Sequence, residues 1–228
     1  MRRTTLEKRN LQRNTVLEAA AKIFSERGFA GASLGDVAKD LKISRPALYY
    51  YFSSKQEILS SLVDAISVAS KKAVDEISAK KIDPVAKLHE MTYRQLLFVM
   101  RNRLCYLVVV KAEEEFSAET RALNLAAKKA VLMIFQKVIA EGVKGGHFRK
   151  VDPAIAALGL IGMCSWCAWW FKDGGRLSET EVAEQLTRMA LASLLEPENA
   201  DGESRKIAGV VDALEGAIGV LNTLQKKY

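Results

Sequence analysis

The residue types best suited to chemistry lie close together, between Ser33 and Lys55. Within this stretch three consecutive tyrosines, Tyr49 to Tyr51, follow Arg45 in a segment with helical spacing. Neighbouring helical residues are turned about 100° apart, so the three rings cannot all face one core and at least one phenol points outward. Tyrosine hydroxyls and lysines bind phosphate oxygens, and an arginine can pair bidentately with guanine. These residue types indicate a surface that binds a nucleic acid.

Positive charge is concentrated in the N-terminal quarter of the chain. The 228 residues carry a formal net charge of +7, and residues 1–60 hold eleven lysines and arginines against six aspartates and glutamates. Uneven basic charge of this kind is typical of a surface that binds a polyanion. A solvated surface that serves only solubility is the alternative interpretation. The hydrophobic content of 49% is ample for a globular core.

Cys164 and Cys167 are the residues that could carry a different chemistry. Three positions apart on a helix, they have the spacing of a redox pair or of half a zinc site. A zinc site needs further ligands, and His89 and His147 show no partner spacing. Cysteines among apolar residues behave as small hydrophobes. The sequence has no glycine-rich phosphate loop, nucleophile elbow or carboxylate pair, so we expect no catalytic residue, metal or cofactor.

Cysteine usage and hydropathy favour a cytoplasmic protein. Three cysteines are too few for a disulfide scaffold, and no apolar segment follows the polar first ten residues. The uncharged run at 154–171 is just long enough to span a membrane. It contains two glycines and a serine, and no other segment of the chain approaches its hydropathy. We therefore expect a helix that is buried by neighbours on two sides, and no contact with a membrane.

Helical start signals recur along the whole chain. Ser33, Ser54 and Ser178 each precede an acidic residue by three positions, and Asp83 and Asp152 each precede a proline. No segment reads convincingly as a strand, so the sequence predicts an all-α fold. The predicted helices cover residues 10–28, 34–41, 45–51, 54–80, 84–103, 104–114, 118–144, 153–172, 179–195 and 204–226.

Two of the short helices have helix-turn-helix proportions, with the turn at residues 42–44. Leu48 and Phe52, four positions apart, form the predicted buried face of the second helix and pack on the first. The outer side of the second helix then carries Arg45, Pro46, Tyr49 and Tyr50, with Ala47 and Tyr51 at the edge of the core. Outward phenols beside an arginine at a helix N-terminus favour phosphate binding. The alternative is that the tyrosines only pack and that Lys55 is solvated.

The run VLEAAAKIFSERGFAGASLGDVAKDLKISRPALYYYFSSKQEIL lies within residues 10–59, which resemble the N-terminal domain of the TetR family of transcriptional regulators. The resemblance implies that the helix from Arg45 enters a DNA major groove and that residues 2–13 form a basic arm. The family pattern often has a turn glycine in place of Lys42, which costs on the order of 1 kcal/mol if φ is positive there. Tyr51 replaces a common histidine. The predicted DNA-binding residues are Ser33, Arg45, Pro46, Ala47, Tyr49, Tyr50 and Lys55, and the resemblance implies that Ser33, Tyr49, Tyr50 and Lys55 contact phosphate.

The resemblance also implies a C-terminal helical domain that dimerises and encloses a ligand cavity. We divide the chain into a DNA-binding domain at 1–56 and a ligand-binding and dimerisation domain at 57–228, with an extra C-terminal helix at 204–226. Small residues along 153–172 favour close approach to a second copy. The following helix has a matching apolar stripe of Val182, Leu186, Met189 and Leu194.

Residues 162–178, GMCSWCAWWFKDGGRLS, resemble a branch of the family whose members respond to acyl-CoA thioesters. Aromatic and methionine side chains in a helical bundle form an apolar slot suited to an acyl tail. Ordinary core packing is the alternative for each of these side chains. The predicted ligand-binding residues are Tyr93, Leu97, Met100, Tyr106, Phe116, Met133, Trp166 and Trp170.

These features together predict a ligand-responsive, homodimeric DNA-binding regulator. We expect a repressor that leaves a palindromic, double-stranded DNA operator when a hydrophobic small molecule, such as an acyl-CoA, fills the helical body. A thiol oxidoreductase that uses Cys164 and Cys167 is the alternative function.

Overall fold

The computed structural model describes the backbone of residues 2–195 and the side chains from Arg13 onward. Every regular element in this part of the chain is a helix, so the predicted all-α fold is confirmed. The helix predicted at 204–226 lies outside the described residues. The α-helices within residues 2–195 are α1 (Arg2–Gly31), α2 (Leu34–Asp40), α3 (Arg45–Tyr49), α4 (Lys55–Val63), α5 (Ala69–Ser78), α6 (Pro84–Arg101), α7 (Arg103–Lys111), α8 (Ala118–Lys144), α9 (Pro153–Trp170) and α10 (Glu179–Ala192).

Polar side chains begin several of these helices at the predicted positions. Ser33, Ser54 and Ser178 each accept a hydrogen bond from the backbone N–H three residues later. Asp83 and Asp152 accept bonds from the first turns of α6 and α9, and each directly precedes a proline. Because the first N–H groups of a helix have no partner within it, these caps fix where each helix begins.

Two residues with left-handed backbone conformation shape the chain around α2. Gly28, with φ 72°, interrupts the last turns of α1, at the position where the sequence predicts the helix to stop. Lys42, with φ 54°, lies in the turn between α2 and α3. A residue with a Cβ atom is strained in this conformation by roughly 1 kcal/mol or more. Lys42 therefore carries the backbone strain that the sequence predicts for a positive φ at this position.

A turn of π-helix, Asp64–Val68, joins α4 to α5, where the sequence predicts one uninterrupted helix over 54–80. A π turn contains one more residue than an α turn would at the same place, and such turns are frequent at functional sites. Ile66 is buried in this turn, and Ile66 and Ser67 both face the interior of the helical body.

One apolar core joins the short N-terminal helices to the helices that follow them. Leu48 and Phe52 are fully buried, as their spacing predicts, and they pack with Val37 and Ala38 of α2. This core crosses residue 57, at which we divide the chain, so α3 rests directly on the body. The residues that extend the core beyond the division are Ile58, Leu59 and Leu62 of α4, Val108 and Val109 of α7, and Phe116.

The apolar stripe predicted on α10 faces inward. Val182 and Leu194 are buried, and Leu186 is partly buried against the core that contains Val182. Met189 points outward. The prediction that these four residues match the side of the preceding helix that approaches a second copy is therefore wrong for three of them, because α10 packs along α6 and its apolar side is covered within its own subunit.

The last turn of α8 contacts the ring of Phe148. This ring is buried in the core formed by α5, α6, α8, α9 and α10. The backbone N–H groups of His147 and Phe148 both donate to the carbonyl oxygen of Gly142, at 2.8 and 3.2 Å. The chain therefore folds back closely enough that a Cβ atom at position 142 would overlap the Phe148 ring.

Gly142→Ala is expected to lower the free energy of unfolding by about 1–3 kcal/mol, because the added methyl group overlaps a buried ring in a packed core. Gly31→Ala is the matched control, since no atom lies within 4 Å of a Cβ atom built at position 31. Urea denaturation of both variants measures the difference. Equal stability of G142A and the wild-type protein would contradict the packing described for Phe148.

Candidate nucleic-acid interface and ligand cavity

The three consecutive tyrosines divide between solvent and core. Tyr49 is 54% exposed and Tyr50 is 65% exposed. Tyr51 is half-buried against the N-terminal core, and its ring meets the edge of the Tyr50 ring at a centroid distance of 5.2 Å. Two phenols therefore point outward from the end of α3, and the third packs inward.

The outer surface of α3 also presents its first three residues. Arg45, Pro46 and Ala47 are all exposed, and Ser44 caps the helix. The guanidinium of Arg45 lies over Gly35 of α2, so closely that a Cβ atom at position 35 would be 2.9 Å from Nη2. No carboxylate among the described residues pairs with Arg45. The side chain is thus oriented by contact with α2 and keeps its donors available.

Ser33 is exposed but its hydroxyl is already engaged. It donates to the carboxylate of Asp36, which also accepts from the Ser33 backbone N–H at 2.9 Å. These hydrogen bonds lower the pKa of Asp36. Arg27 donates to the other oxygen of the same carboxylate at 2.8 Å. Ser33 therefore fixes the start of α2, because its hydroxyl both donates to the Asp36 carboxylate and accepts from the Asp36 backbone N–H.

Lys55 makes a contact that the sequence does not predict. Its ammonium donates to the carbonyl oxygens of Phe29, Ala30 and Ala32 at 2.8, 3.2 and 2.7 Å, and lies 4.9 Å from the centroid of the Phe29 ring. These three bonds use all three donors of the ammonium. The geometry thus corrects the prediction that Lys55 binds phosphate, because the side chain instead attaches the α1–α2 connection to α4.

Arg13, at the end of the basic arm that the resemblance implies, also packs on the body. Its guanidinium donates to the Ser61 hydroxyl at 2.8 Å and lies 4.3 Å from the centroid of the Phe52 ring. The backbone of residues 2–13 is part of α1. Arg13 therefore joins α1 to α4 rather than extending freely.

A polar groove of about 430 Å³ brings several of the predicted DNA-binding residues together. Ser33, Arg45, Tyr49 and Lys55 line it, whereas Pro46, Ala47 and Tyr50 are exposed on α3 outside it. Gly35 and Ser53 also line the groove and are not among the predicted residues. Ser53 could have been found from its place beside the predicted cap Ser54, but no local signal marks Gly35.

An apolar cavity of about 450 Å³ lies inside the helical body. Its wall is formed by the π turn and by α5, α6, α7, α8 and α9. Ser67, Ser70, Gln95, Tyr106 and Ser165 supply the polar atoms, and Lys128 and Lys129 stand on the α8 side. The apolar lining residues are Ile66, Phe98, Val109, Val110, Leu125, Val131, Leu132, Leu158 and Ile161.

Of the eight predicted ligand-binding residues, Tyr106 lines this cavity. Tyr93, Leu97 and Met100 pack in a separate core beneath α10, and Phe116 belongs to the N-terminal core. Three more lie on exposed surfaces, because α8 and α9 are rotated differently from the prediction; they are Met133, Trp166 and Trp170. The structure thus corrects the prediction for these seven residues.

The polar atoms of the cavity wall are mostly uncharged. The Ser70 hydroxyl donates to Oε1 of Gln95 at 2.9 Å, and both residues are buried. Burial raises the pKa of Tyr106, whose hydroxyl also interacts with Ser165. Tyr106 is therefore a neutral phenol at physiological pH, and this part of the wall suits a carbonyl or hydroxyl group of a ligand.

The cysteines do not form a reactive site. Cys164 and Cys167 are fully buried, and burial raises the pKa of both, to about 11 for Cys167. Burial also raises the pKa of Cys105 to about 11. The thiolate is the reactive form of cysteine, so these environments suppress reactivity. Within the described residues no three or more histidine, cysteine or acidic side chains could hold a metal ion.

One side of α9 is apolar and exposed. Ile155, Gly159, Gly162 and Trp166 follow one another at intervals of three or four positions, and all are exposed. Among the described residues α9 is also the one helix long and apolar enough to cross a membrane, a test that core helices pass as well. The regular stripe favours packing against another helix.

Comparisons with known proteins bear on both sites. Residues 16–62 match the family model for bacterial regulatory proteins of the tetR family, and residues 81–194 match the tetracyclin repressor-like C-terminal domain. The transcriptional repressor NicS of Pseudomonas putida is 30% identical over 80% of this chain and 86% of its own length. Among solved structures, the TetR-family regulator PfmR of Thermus thermophilus is 28% identical with a TM-score of 0.71, covering 78% of this chain and 97% of PfmR. AibR in complex with isovaleryl coenzyme A and operator DNA is 25% identical with a TM-score of 0.67, covering 78% and 96%.

Lys55→Met is expected to lower the free energy of unfolding by about 1–3 kcal/mol, because three carbonyl oxygens lose a charged donor. Lys39→Met is the matched control, as Lys39 is an exposed lysine on α2 and loses the same charge. Thermal denaturation followed by circular dichroism compares the two. A melting temperature that falls equally in both variants would show that the contacts of Lys55 with the α1–α2 connection contribute nothing.

Proposed function

The chain belongs to the TetR family of bacterial transcriptional regulators, and from this premise we propose that it is a repressor released from operator DNA by a hydrophobic small molecule. The observation that carries the proposal concerns Ile66 and Val109. Both residues line the cavity, and both belong to the core on which α3 rests. Whatever occupies the cavity therefore contacts the same side chains that position the DNA-binding surface.

The exposed side of α3 supports an assignment as the helix that enters the major groove. Arg45 has free donors and is oriented by Gly35, as base recognition by a bidentate arginine requires. Tyr49 and Tyr50 flank it with outward phenols suited to phosphate oxygens. Pro46 and Ala47 lie between them as small exposed residues that allow close approach to base edges.

The exposed stripe of α9 supports a homodimer. Gly159 and Gly162 have no atom within 4 Å of a Cβ position, so the backbone of a second α9 could approach closely there. The family binds operator DNA as a dimer, and a two-fold axis places two α3 helices against successive major grooves. For this geometry the two halves of a palindromic operator lie one helical turn, about 34 Å, apart.

The cavity supports an effector with an apolar body, such as the acyl part of an acyl-CoA thioester. Its volume of about 450 Å³ is within the range of small-molecule sites, and its wall is largely apolar. The side-chain amide of Gln95 and the hydroxyl of Tyr106 offer donors for a thioester carbonyl. AibR, a structural neighbour, binds isovaleryl coenzyme A and operator DNA. Ligand and DNA oppose each other when each favours a different arrangement of the core between them.

Gly35→Ala is expected to relax base preference without a uniform loss of DNA affinity, because the added Cβ atom displaces the Arg45 guanidinium. Arg45→Ala should have the same effect, with discrimination at one base pair reduced by about 1–3 kcal/mol. Tyr49→Phe is the contrasting variant and should weaken binding to all sequences alike. Selection from random DNA followed by competition binding measures both quantities. An unchanged preference in G35A would contradict the role given to Arg45.

Acyl-CoA thioesters are expected to release the protein from its selected operator, whereas coenzyme A alone should not. Ser165→Phe fills part of the cavity, so this variant should retain operator binding and respond at least tenfold less. Fluorescence anisotropy of labelled operator measures release, and calorimetry measures thioester binding. A panel of short- and long-chain thioesters that neither binds nor releases would refute the acyl-CoA proposal.

A further inference from the structure

A line of hydrogen bonds runs from the cavity wall to the end of α7. The Ser67 hydroxyl donates to Oδ1 of Asn124 at 2.6 Å, and Nδ2 of Asn124 donates to Glu113 at 3.3 Å. The Glu113 carboxylate also accepts from the Lys128 ammonium at 2.8 Å. Asn124 is fully buried, while Ser67 and Lys128 both line the cavity. The carboxylate of Glu113 is therefore connected to the cavity through two residues of its wall.

The same glutamate begins a turn that contacts α4. Glu113–Glu115 form a 3-10 turn directly after α7, and the Glu115 carbonyl accepts from the side-chain amide of Gln56 at 3.3 Å. Gln56 follows Lys55, which attaches the α1–α2 connection to α4. This hydrogen bond is the contact through which a displaced turn would act on the start of α4.

Lys128 is placed where a ligand could replace its present partner. Its side chain is 46% exposed and that of Glu113 is 39% exposed, so water screens their attraction. Ion pairs of this exposure contribute little to stability. Lys129 and the exposed Leu125 and Leu158 surround the same opening of the cavity. An otherwise apolar cavity thus has a cationic rim on its α8 side.

We propose that the effector is an amphiphile whose anionic group binds Lys128 in place of Glu113. This inference rests on the proposed function, in which an apolar ligand fills the cavity. The apolar part contacts the wall, and anionic oxygens pair with Lys128 and Lys129 at the rim. Glu113 then loses its cation, and the turn that binds Gln56 is released. A fatty-acid carboxylate and the phosphates of a coenzyme A thioester are the two sources of such oxygens.

Calorimetric titration of the full-length protein with decanoate, decanol and decanoyl-CoA tests the inference. We expect at least one of the two anionic probes to bind about tenfold more tightly than decanol. Lys128→Met should remove most of that advantage and leave decanol binding unchanged. Lys137→Met is the control, since Lys137 is exposed on the same helix and does not line the cavity. The probe that loses affinity in K128M identifies the carboxylate or the phosphates as the source.

Glu113→Gln provides an independent test, because it removes the competing charge and keeps the size of the side chain. Affinity for the favoured anionic probe should rise about threefold, and operator affinity without ligand should fall by a similar factor. A purely structural role of the pair would lower operator affinity but leave the ratio between anionic probe and decanol unchanged.

Two further outcomes separate this inference from the proposed function. If all three probes bind with equal affinity, or if K128M weakens the binding of decanol as much as that of the anionic probes, the proposed anionic subsite is wrong. The proposed apolar effector site is then still supported. If none of the three binds to the wild-type protein, the apolar effector site fails, and the anionic subsite fails with it.

Discussion

The continuous apolar core through α1, α4 and α7 is the constraint on which the rest of the structure depends. A helix as short as α3, with five residues, has no stability of its own. Its position is set by Leu48 and Phe52, which are fully buried in this core. Protein interiors are close-packed and resist continuous deformation, so a displaced side chain moves its neighbours. The orientation of α3 is therefore tied to the packing of α7.

Polar contacts at the surface of this core also hold the N-terminal helices in place. Lys55 attaches the α1–α2 connection to α4 through three carbonyl oxygens, and the Arg13 guanidinium lies over the Phe52 ring. Hydrogen bonds from a charged group are stronger than those between neutral groups. Cationic side chains near α3 thus differ in their surroundings. Arg45 is exposed on the outer side of α3, while Lys55 and Arg13 support the helices behind it.

The sequence predicts the N-terminal helices better than the ligand cavity, and the reason is the clarity of their apolar faces. Leu48 and Phe52 stand out against polar neighbours, so the rotation of α3 follows from spacing alone. The helix α9 is apolar on all sides, and its pattern does not indicate which side faces inward. The prediction that Trp166 lines the cavity is wrong for this reason, since its side chain is exposed. The bonds of Lys55 join residues 23 to 26 positions apart, and no local pattern predicts such a contact.

The π turn between α4 and α5 determines which side chains of α5 face the interior. If the same five residues continued as regular α-helix, every later side chain would be turned by about 100° relative to α4. Ser67 and Ser70 would then face away from the interior that they now line. The extra residue of the π turn therefore keeps Ser70 on the inner side of α5, and a relative without that residue would reach the same inner surface through regular α-helix.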